Sequence, residues 1–225
     1  KKLRPFGARL SRSDQKILLL DWVENAHLPQ AVVEQTWDWT KEMIRKFDPD
    51  SIHRRDKTKF TFEEFSAVAL YQTLFKNDNP RSISIIARAT GVSEKRLFRI
   101  LRVFPIPFSV NHLKPSHWMP GLYHLLPISY QESVKIASVA DYFSGNFAFH
   151  PLSLLVITIY MFLNIRAKRK DDPRAKETLK KSELSKITGV STGIITKGQK
   201  RVYETNPFFT DAMLVFTHSK KVEGK

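Results

Sequence analysis

The chain has 225 residues, no cysteine, and 37 Lys and Arg against 22 Asp and Glu, which leaves a formal net charge of +15. The missing cysteines exclude disulfides, thiol catalysis and Cys-based zinc sites, and they suit a reducing compartment. So large a positive balance favours a polyanion as partner: nucleic acid, an acidic protein or an anionic membrane surface.

Residues 1–12 are a basic lead-in, without the apolar run and cleavage site of a signal peptide. A first helix is predicted over Ser13–Ala26, with Ile17, Leu18, Leu20 and Val23 as its apolar positions. Leu28-Pro29 breaks it, and a second helix follows over Gln30–Phe47, turning Val32, Val33, Thr36, Trp37, Met43 and Ile44 inward. After a polar loop, Asp48–Lys59, the run Thr61-Phe-Glu-Glu64 spells a capping box for a third helix, Phe62–Lys76. This helix is apolar on most sides and should be the core of its unit.

Ser82–Phe104 then reads as helix, tight turn and second helix. Ile85, Ile86 and Ala89 share a face of the first, while Leu97, Ile100, Leu101 and Phe104 recur at i, i+3, i+4 and i+7 in the second. Gly91 supplies the turn, Ala87 is small enough for close approach, and Ser93 can cap the second helix. Lys95, Arg99 and Arg102 fall on the opposite side. The stretch is a helix-turn-helix with a cationic outer face.

Pro105–Pro120 holds four prolines and reads as a linker. A short helix is expected near Gly121–Leu126, then a longer one over Gln131–Phe143 carrying Val134, Ile136, Ala137, Ala140 and Phe143. Leu152–Ile165 is apolar but only fourteen residues long, short of the ~20 that a bilayer span needs. It therefore reads as a buried helix opened by Pro151, and no membrane partner is expected. The basic insertion at about 166–181 reads as a solvated loop or a short extra helix. A second helix-turn-helix follows over Glu183–Tyr203, and residues 206–225 form a tail with a short helix expected over Asp211–Thr217. Between Ile165 and Arg201 twelve Lys and Arg stand against four acids, the most basic part of the chain.

The two halves repeat each other. Gly91-Val-Ser93 returns as Gly189-Val-Ser191, Ala87 as Ser185, and Leu70-Tyr71 as Ile159-Tyr160. Tyr71 precedes Gly91 by twenty residues and Tyr160 precedes Gly189 by twenty-nine, so the second copy carries about nine extra residues. The predicted fold is all-α, with two tandem five-helix repeats at 13–104 and 121–205, each ending in a helix-turn-helix.

This organisation resembles the cyclin fold in tandem, and within it the core domain of general transcription factor IIB. The likeness rests on Leu28-Pro-Gln-Ala-Val-Val-Glu34, Leu70-Tyr71, Pro80-Arg81 and Ser93-Glu-Lys95 in the first repeat. In the second it rests on Pro151-Leu-Ser153, Ile159-Tyr160-Met161, Gly189-Val190 and Tyr203. It spans about residues 14–205. The resemblance implies a nuclear factor that binds promoter DNA and TATA-binding protein during preinitiation complex assembly. It implies recruitment of RNA polymerase through a zinc ribbon that this cysteine-free stretch does not contain.

Residue by residue, Lys95 and Arg99 match positions that meet DNA phosphates in the family. Arg102 extends that face, and Lys59 lies beside another such position. On the second recognition helix Gly193, Thr196, Lys197 and Lys200 face outward at i, i+3, i+4 and i+7. The resemblance assigns base reading to the positions of Gly193 and Thr196. A glycine has no side chain to offer and a threonine cannot make arginine's bidentate guanine contact, so weak or altered sequence reading is expected. Lys197 and Lys200 can neutralise phosphates. Gly193 and Gly198 should each cost this helix about 1 kcal/mol against alanine.

Other motifs point nowhere. His112, His117 and His124 have no carboxylate at ligand spacing, and Trp22, Trp37 and Trp39 read as core or groove-lining and not as base-stacking. With no phosphate-cradling glycine loop, nucleophile elbow or paired carboxylates, neither enzyme nor cofactor is expected. The competing readings are a IIB-related factor for another polymerase and a cyclin-type interaction module that regulates a kinase.

Overall fold

The computed structural model describes residues 11–26, 28–47, 60–105, 113–169, 172–206 and 208–209; they are helical, with no strand among them. The chain divides into two compact units, one of Lys1–Asn77 and Ile85–Phe108, the other of Asp78–Ser84 and Ser109–Lys225.

In the first unit α1 (Arg12–Asn25) packs on α2 (Ala31–Lys46), and α2 on α3 (Phe62–Lys76). The capping box forms as read: the Glu64 N–H donates to Thr61 Oγ1 at 3.3 Å, and the Thr61 N–H to Glu64 Oε2 at 3.0 Å. The apolar residues of α3 from Phe65 to Phe75 are buried except for the half-buried Tyr71, so α3 is the central helix. Completing the unit are α4 (Ile83–Thr90) from Ile85 onward and α5 (Glu94–Val103), with α5 lying on α3. Phe47, Phe60, Phe65 and Phe104 gather with centroids 5.3–6.5 Å apart, several of them edge to face. Gln72 secures the end of α5 by donating its amide to the Phe104 carbonyl at 2.8 Å.

Two helix faces differ from the expectation. In α1 the core is Leu19, Trp22, Val23 and Ala26, whereas Ile17 is 56% exposed. Four consecutive apolar residues, Ile17–Leu20, allow more than one helical phase, and packing against α2 selects the one that buries Trp22. Ile44, expected inward on α2, is likewise exposed near the helix end.

In the second unit α7 (Pro151–Ala167) is the central helix, buried nearly all round, and α6 (Tyr130–Phe143), α8 (Lys181–Thr188) and α9 (Thr192–Thr205) pack on it. Pro151 occupies its first turn, and His150 Nδ1 accepts the Leu152 N–H at 3.3 Å. Part of the proline-rich stretch read as linker is a 3-10 turn, Pro115–Gly121, followed by a shorter one, Tyr123–Leu125. Pro115, Trp118 and Met119 are buried there, against α6 and α7. On α6 the expected Ile136, Ala137, Ala140 and Phe143 are buried, together with Ser133 and Val139, while Val134 is exposed. Phe209, in the stretch read as tail, is fully buried against Phe143 and Phe147. The helix expected over Asp211–Thr217 lies outside the described residues. No helix among the described residues is long and apolar enough to cross a membrane.

The segment Asp78–Ser84 belongs to this second unit. Its Arg81 is buried beside Gly121 and donates to Asn79 Oδ1 at 2.6 Å and to the Pro80 carbonyl at 3.2 Å. A methyl group on Gly121 would stand 2.6 Å from Arg81 Nε, so the bare glycine makes room for the buried guanidinium. Burial lowers the Arg81 pKa to about 10, which still leaves it charged at neutral pH.

Candidate nucleic-acid interface

The two helix-turn-helix segments share one local geometry. Gly91 and Gly189 both take positive φ, +73° and +78°, a conformation that side chains disfavour. Each glycine N–H donates four residues back, to Ala87 O and to Ser185 O, at 2.9 Å. The threonine just before each glycine does matching work. Thr90 and Thr188 donate their hydroxyls to Ile86 O and Leu184 O at 2.8 Å, and accept the Val92 and Val190 N–H groups at 3.3 and 3.2 Å. These threonines were not singled out from sequence, although Thr-Gly-Val-Ser at 90–93 and 188–191 carries the signal. The serines are only half alike: Ser191 accepts the Ile194 N–H at 3.3 Å, whereas Ser93 stands at the N-cap without a side-chain cap bond.

Counted from its turn glycine, each second helix buries the same positions. Leu97 and Ile195 come first, then Ile100 and Gly198. The outer positions match as well: Lys95 with Gly193, Arg99 with Lys197, and Arg102 with Lys200. Lys95, Arg102, Lys197 and Lys200 are exposed and Arg99 is half-buried. Among the described residues Lys95, Arg99, Arg102 and Lys197 have no hydrogen-bond or ion-pair partner, and Lys200 has only a loose contact, 3.7 Å, with the exposed Glu204. Phe98 lies among the first group, 50% exposed. Lys59 lies outside the described residues.

Arg96 behaves differently from its neighbours on α5. It pairs through two nitrogens with Glu64, the residue that also closes the α3 capping box, with Nη2 to Oε2 at 2.9 Å. The pair ties α5 to the start of α3 and leaves Lys95, Arg99 and Arg102 to face out.

On α9 the two glycines have opposite roles. A methyl on Gly193 would meet only Ser191 Oγ, at 3.9 Å. On Gly198 it would lie 2.9 Å from Ile157 Cγ1 and closer still to Cδ1, so Gly198 lets α9 sit tightly on α7. Thr196 is exposed, and its Oγ1 accepts a hydrogen bond from Lys181 Nζ at 3.1 Å.

Between the end of α7 and the start of α8 the described residues of the insertion form a loop without helix, largely exposed, but one tied down by two arginines. The first residue of the insertion, Arg166, is 1% exposed in the last turn of α7. The Arg166 guanidinium donates to Glu132 Oε1 at 3.1 Å, to Pro127 O at 2.8 Å, and to Glu177 O. Arg174 donates to Glu132 Oε2 at 2.8 Å and to Pro127 O at 3.0 Å. Burial opposes the Glu132 charge, but the Ser129 N–H and Arg166 together hold its carboxyl below the ordinary range. Two arginines thus pin the segment onto the start of α6, their guanidiniums paired with the Glu132 carboxylate and the Pro127 carbonyl. Sequence could register the charge run but not its link to Glu132 and Pro127, which are more than thirty residues away.

His117 Nδ1 accepts the Lys114 N–H at 3.4 Å and His124 stacks on Tyr123; among the described residues no three His, Asp or Glu side chains gather as a metal site. Compared with known proteins, the chain matches no family model, and no curated protein matches it.

Proposed function

We propose that the chain is a DNA-binding core of the transcription factor IIB type, built of two cyclin-like repeats and acting in the nucleus with TATA-binding protein at promoters. The observation that carries this reading is the pair of helix-turn-helix segments. They share one turn geometry, and each turns cations to solvent: among the described residues Lys95, Arg99, Arg102 and Lys197 have no acid paired with them, and Lys200 has only Glu204 at 3.7 Å. In a chain of charge +15, such faces suit a phosphate backbone, with recognition helices α5 and α9 meeting the duplex. The central helices α3 and α7, each bearing its own helix-turn-helix, support the cyclin-like repeats.

Phosphate contacts of this kind position the protein and carry little sequence information of their own. A gel-shift titration with a TATA-containing duplex, with and without TATA-binding protein, tests the reading. Binding should be tighter with TATA-binding protein present and should fall steeply with salt. A flat salt profile would remove the phosphate-gripping role. Binding to DNA that TATA-binding protein does not strengthen would leave a DNA-binding protein of another kind.

A further inference from the structure

One exposed helix face lies outside both helix-turn-helix segments and carries no charge. The residues that α6 exposes are Tyr130, Gln131, Val134, Ser138 and Tyr142, and all but Gln131 recur at i, i+4, i+8 and i+12. They form a ridge along the helix. Tyr130 is 67% exposed and Tyr142 80%, with Val134 at 47% between them. Tyr123 stands edge to face with Tyr130, centroids 6.0 Å apart, and supports that end of the ridge.

An uncharged ridge is out of keeping with a chain of +15. The charges beside it are engaged elsewhere or half-buried. Glu132 holds Arg166 and Arg174, Asp141 accepts the Ser116 N–H at 2.8 Å, and Lys135 is half-buried. A polyanion finds no exposed cation on α6, so the surface suits a protein and not a nucleic acid. We propose that a second copy of the chain docks on this ridge, α6 against α6 in antiparallel two-fold pairing. A two-fold interface needs a surface complementary to itself. Read from either end the ridge runs large, small, small, large: Tyr130, Val134, Ser138, Tyr142. Reversal about its midpoint sets Tyr130 against Tyr142 of the second copy, and Val134 against Ser138 of the second copy. The small central residues let the two helix axes approach where they cross. The tyrosines span the gap that opens on either side as the axes diverge.

Area sets the strength of this contact. Two tyrosines so exposed, with Val134, present roughly 300–400 Å² of largely apolar surface. Each partner in a standard stable interface buries ~800 Å². The pairing is therefore weak, and the dimer dissociates on dilution. Repulsion between two chains of charge +15 opposes it at low ionic strength. Added salt screens that repulsion and leaves the apolar contact intact, so the dimer strengthens with salt. A phosphate-gripping surface behaves in the opposite way. The pairing uses no residue of α5 or α9 and holds whether or not the chain binds DNA.

Sedimentation velocity of the intact chain, without DNA, tests the pairing. The weight-average mass should climb from 26.1 kDa toward twice that value as the concentration rises from ~5 to ~500 µM. The climb should be steeper in ~0.5 M than in ~0.05 M NaCl. Tyr130→Ser and Tyr142→Ser together should weaken dimerisation about tenfold or more. Both side chains are exposed, so the thermal melt of that variant should match the wild type. Crosslinking reads the orientation, because the chain has no cysteine of its own. A mixture of Val134→Cys and Ser138→Cys chains should form mixed disulfide dimers faster than either variant links to itself. A monomer at every concentration, or a dimer indifferent to the two tyrosine substitutions, overturns the pairing. Faster self-linking of each single variant overturns it too, since that is the signature of parallel packing.

Discussion

At the scale of single residues, the glycines of α9 separate two effects that composition cannot distinguish. Gly193→Ala adds a methyl in open space and should stabilise the fold by up to ~1 kcal/mol through helix propensity. Gly198→Ala gains the same propensity but drives a methyl into Ile157, and overpacking of about 1–3 kcal/mol outweighs it. Urea denaturation of the two variants should move in opposite directions; equal stabilisation would show that α9 does not pack closely on α7. Lys95 and Arg99 act on binding instead. Replacing both by alanine should weaken the DNA complex on every flanking sequence alike and lower the salt slope by about two.

His150 makes a prediction in pH. Burial holds its imidazole below the ordinary histidine value of 6.5, so unfolding takes up a proton as the pH falls through that value. Its contribution is fully present above 6.5 and is lost as the pH drops toward the lower folded value. Thermal melts at pH ~7.5 and ~5.5 should show this loss in the wild type and a smaller one in His150→Asn, which can still cap α7. Glu132 does not interfere, because its depressed pKa places its own loss below the ordinary carboxylate range.

At the scale of elements, local and distant determinants part company. The α3 capping box, the turn glycines and the buried run of α7 involve residues within a few positions of each other, and all were readable from spacing. The face of α1 was not, because the run Ile17–Leu20 satisfies more than one helical phase until a neighbouring helix selects it. The insertion is a loop, as one of the two expectations had it, but its tethering was not readable because Glu132 and Pro127, which hold Arg166 and Arg174, precede it by more than thirty residues. Arg166→Met should cost on the order of 3 kcal/mol, since the Glu132 carboxylate loses its most buried partner. It should also open the segment around Arg174 to trypsin. Resistance equal to wild type would mean that Arg174 alone suffices.

At the scale of the whole molecule, the charge of +15 sets the expected behaviour toward any polyanion, whatever the details of recognition. The amino-acid sequence by itself determined the all-helical class, the two turns with their glycines, and the outward cations of α5 and α9. Those features follow from residue spacing along one helix and from the conformations open to glycine. Only the tertiary structure decided which phase of each ambiguous helix is buried and that the basic insertion is pinned down. It also decided that Arg96 goes to Glu64 and that Lys181 reaches Thr196. The physical reason is that each of those outcomes depends on a partner from another element, and a side chain's charge or hydroxyl does not specify its partner until packing has brought the two within bonding distance.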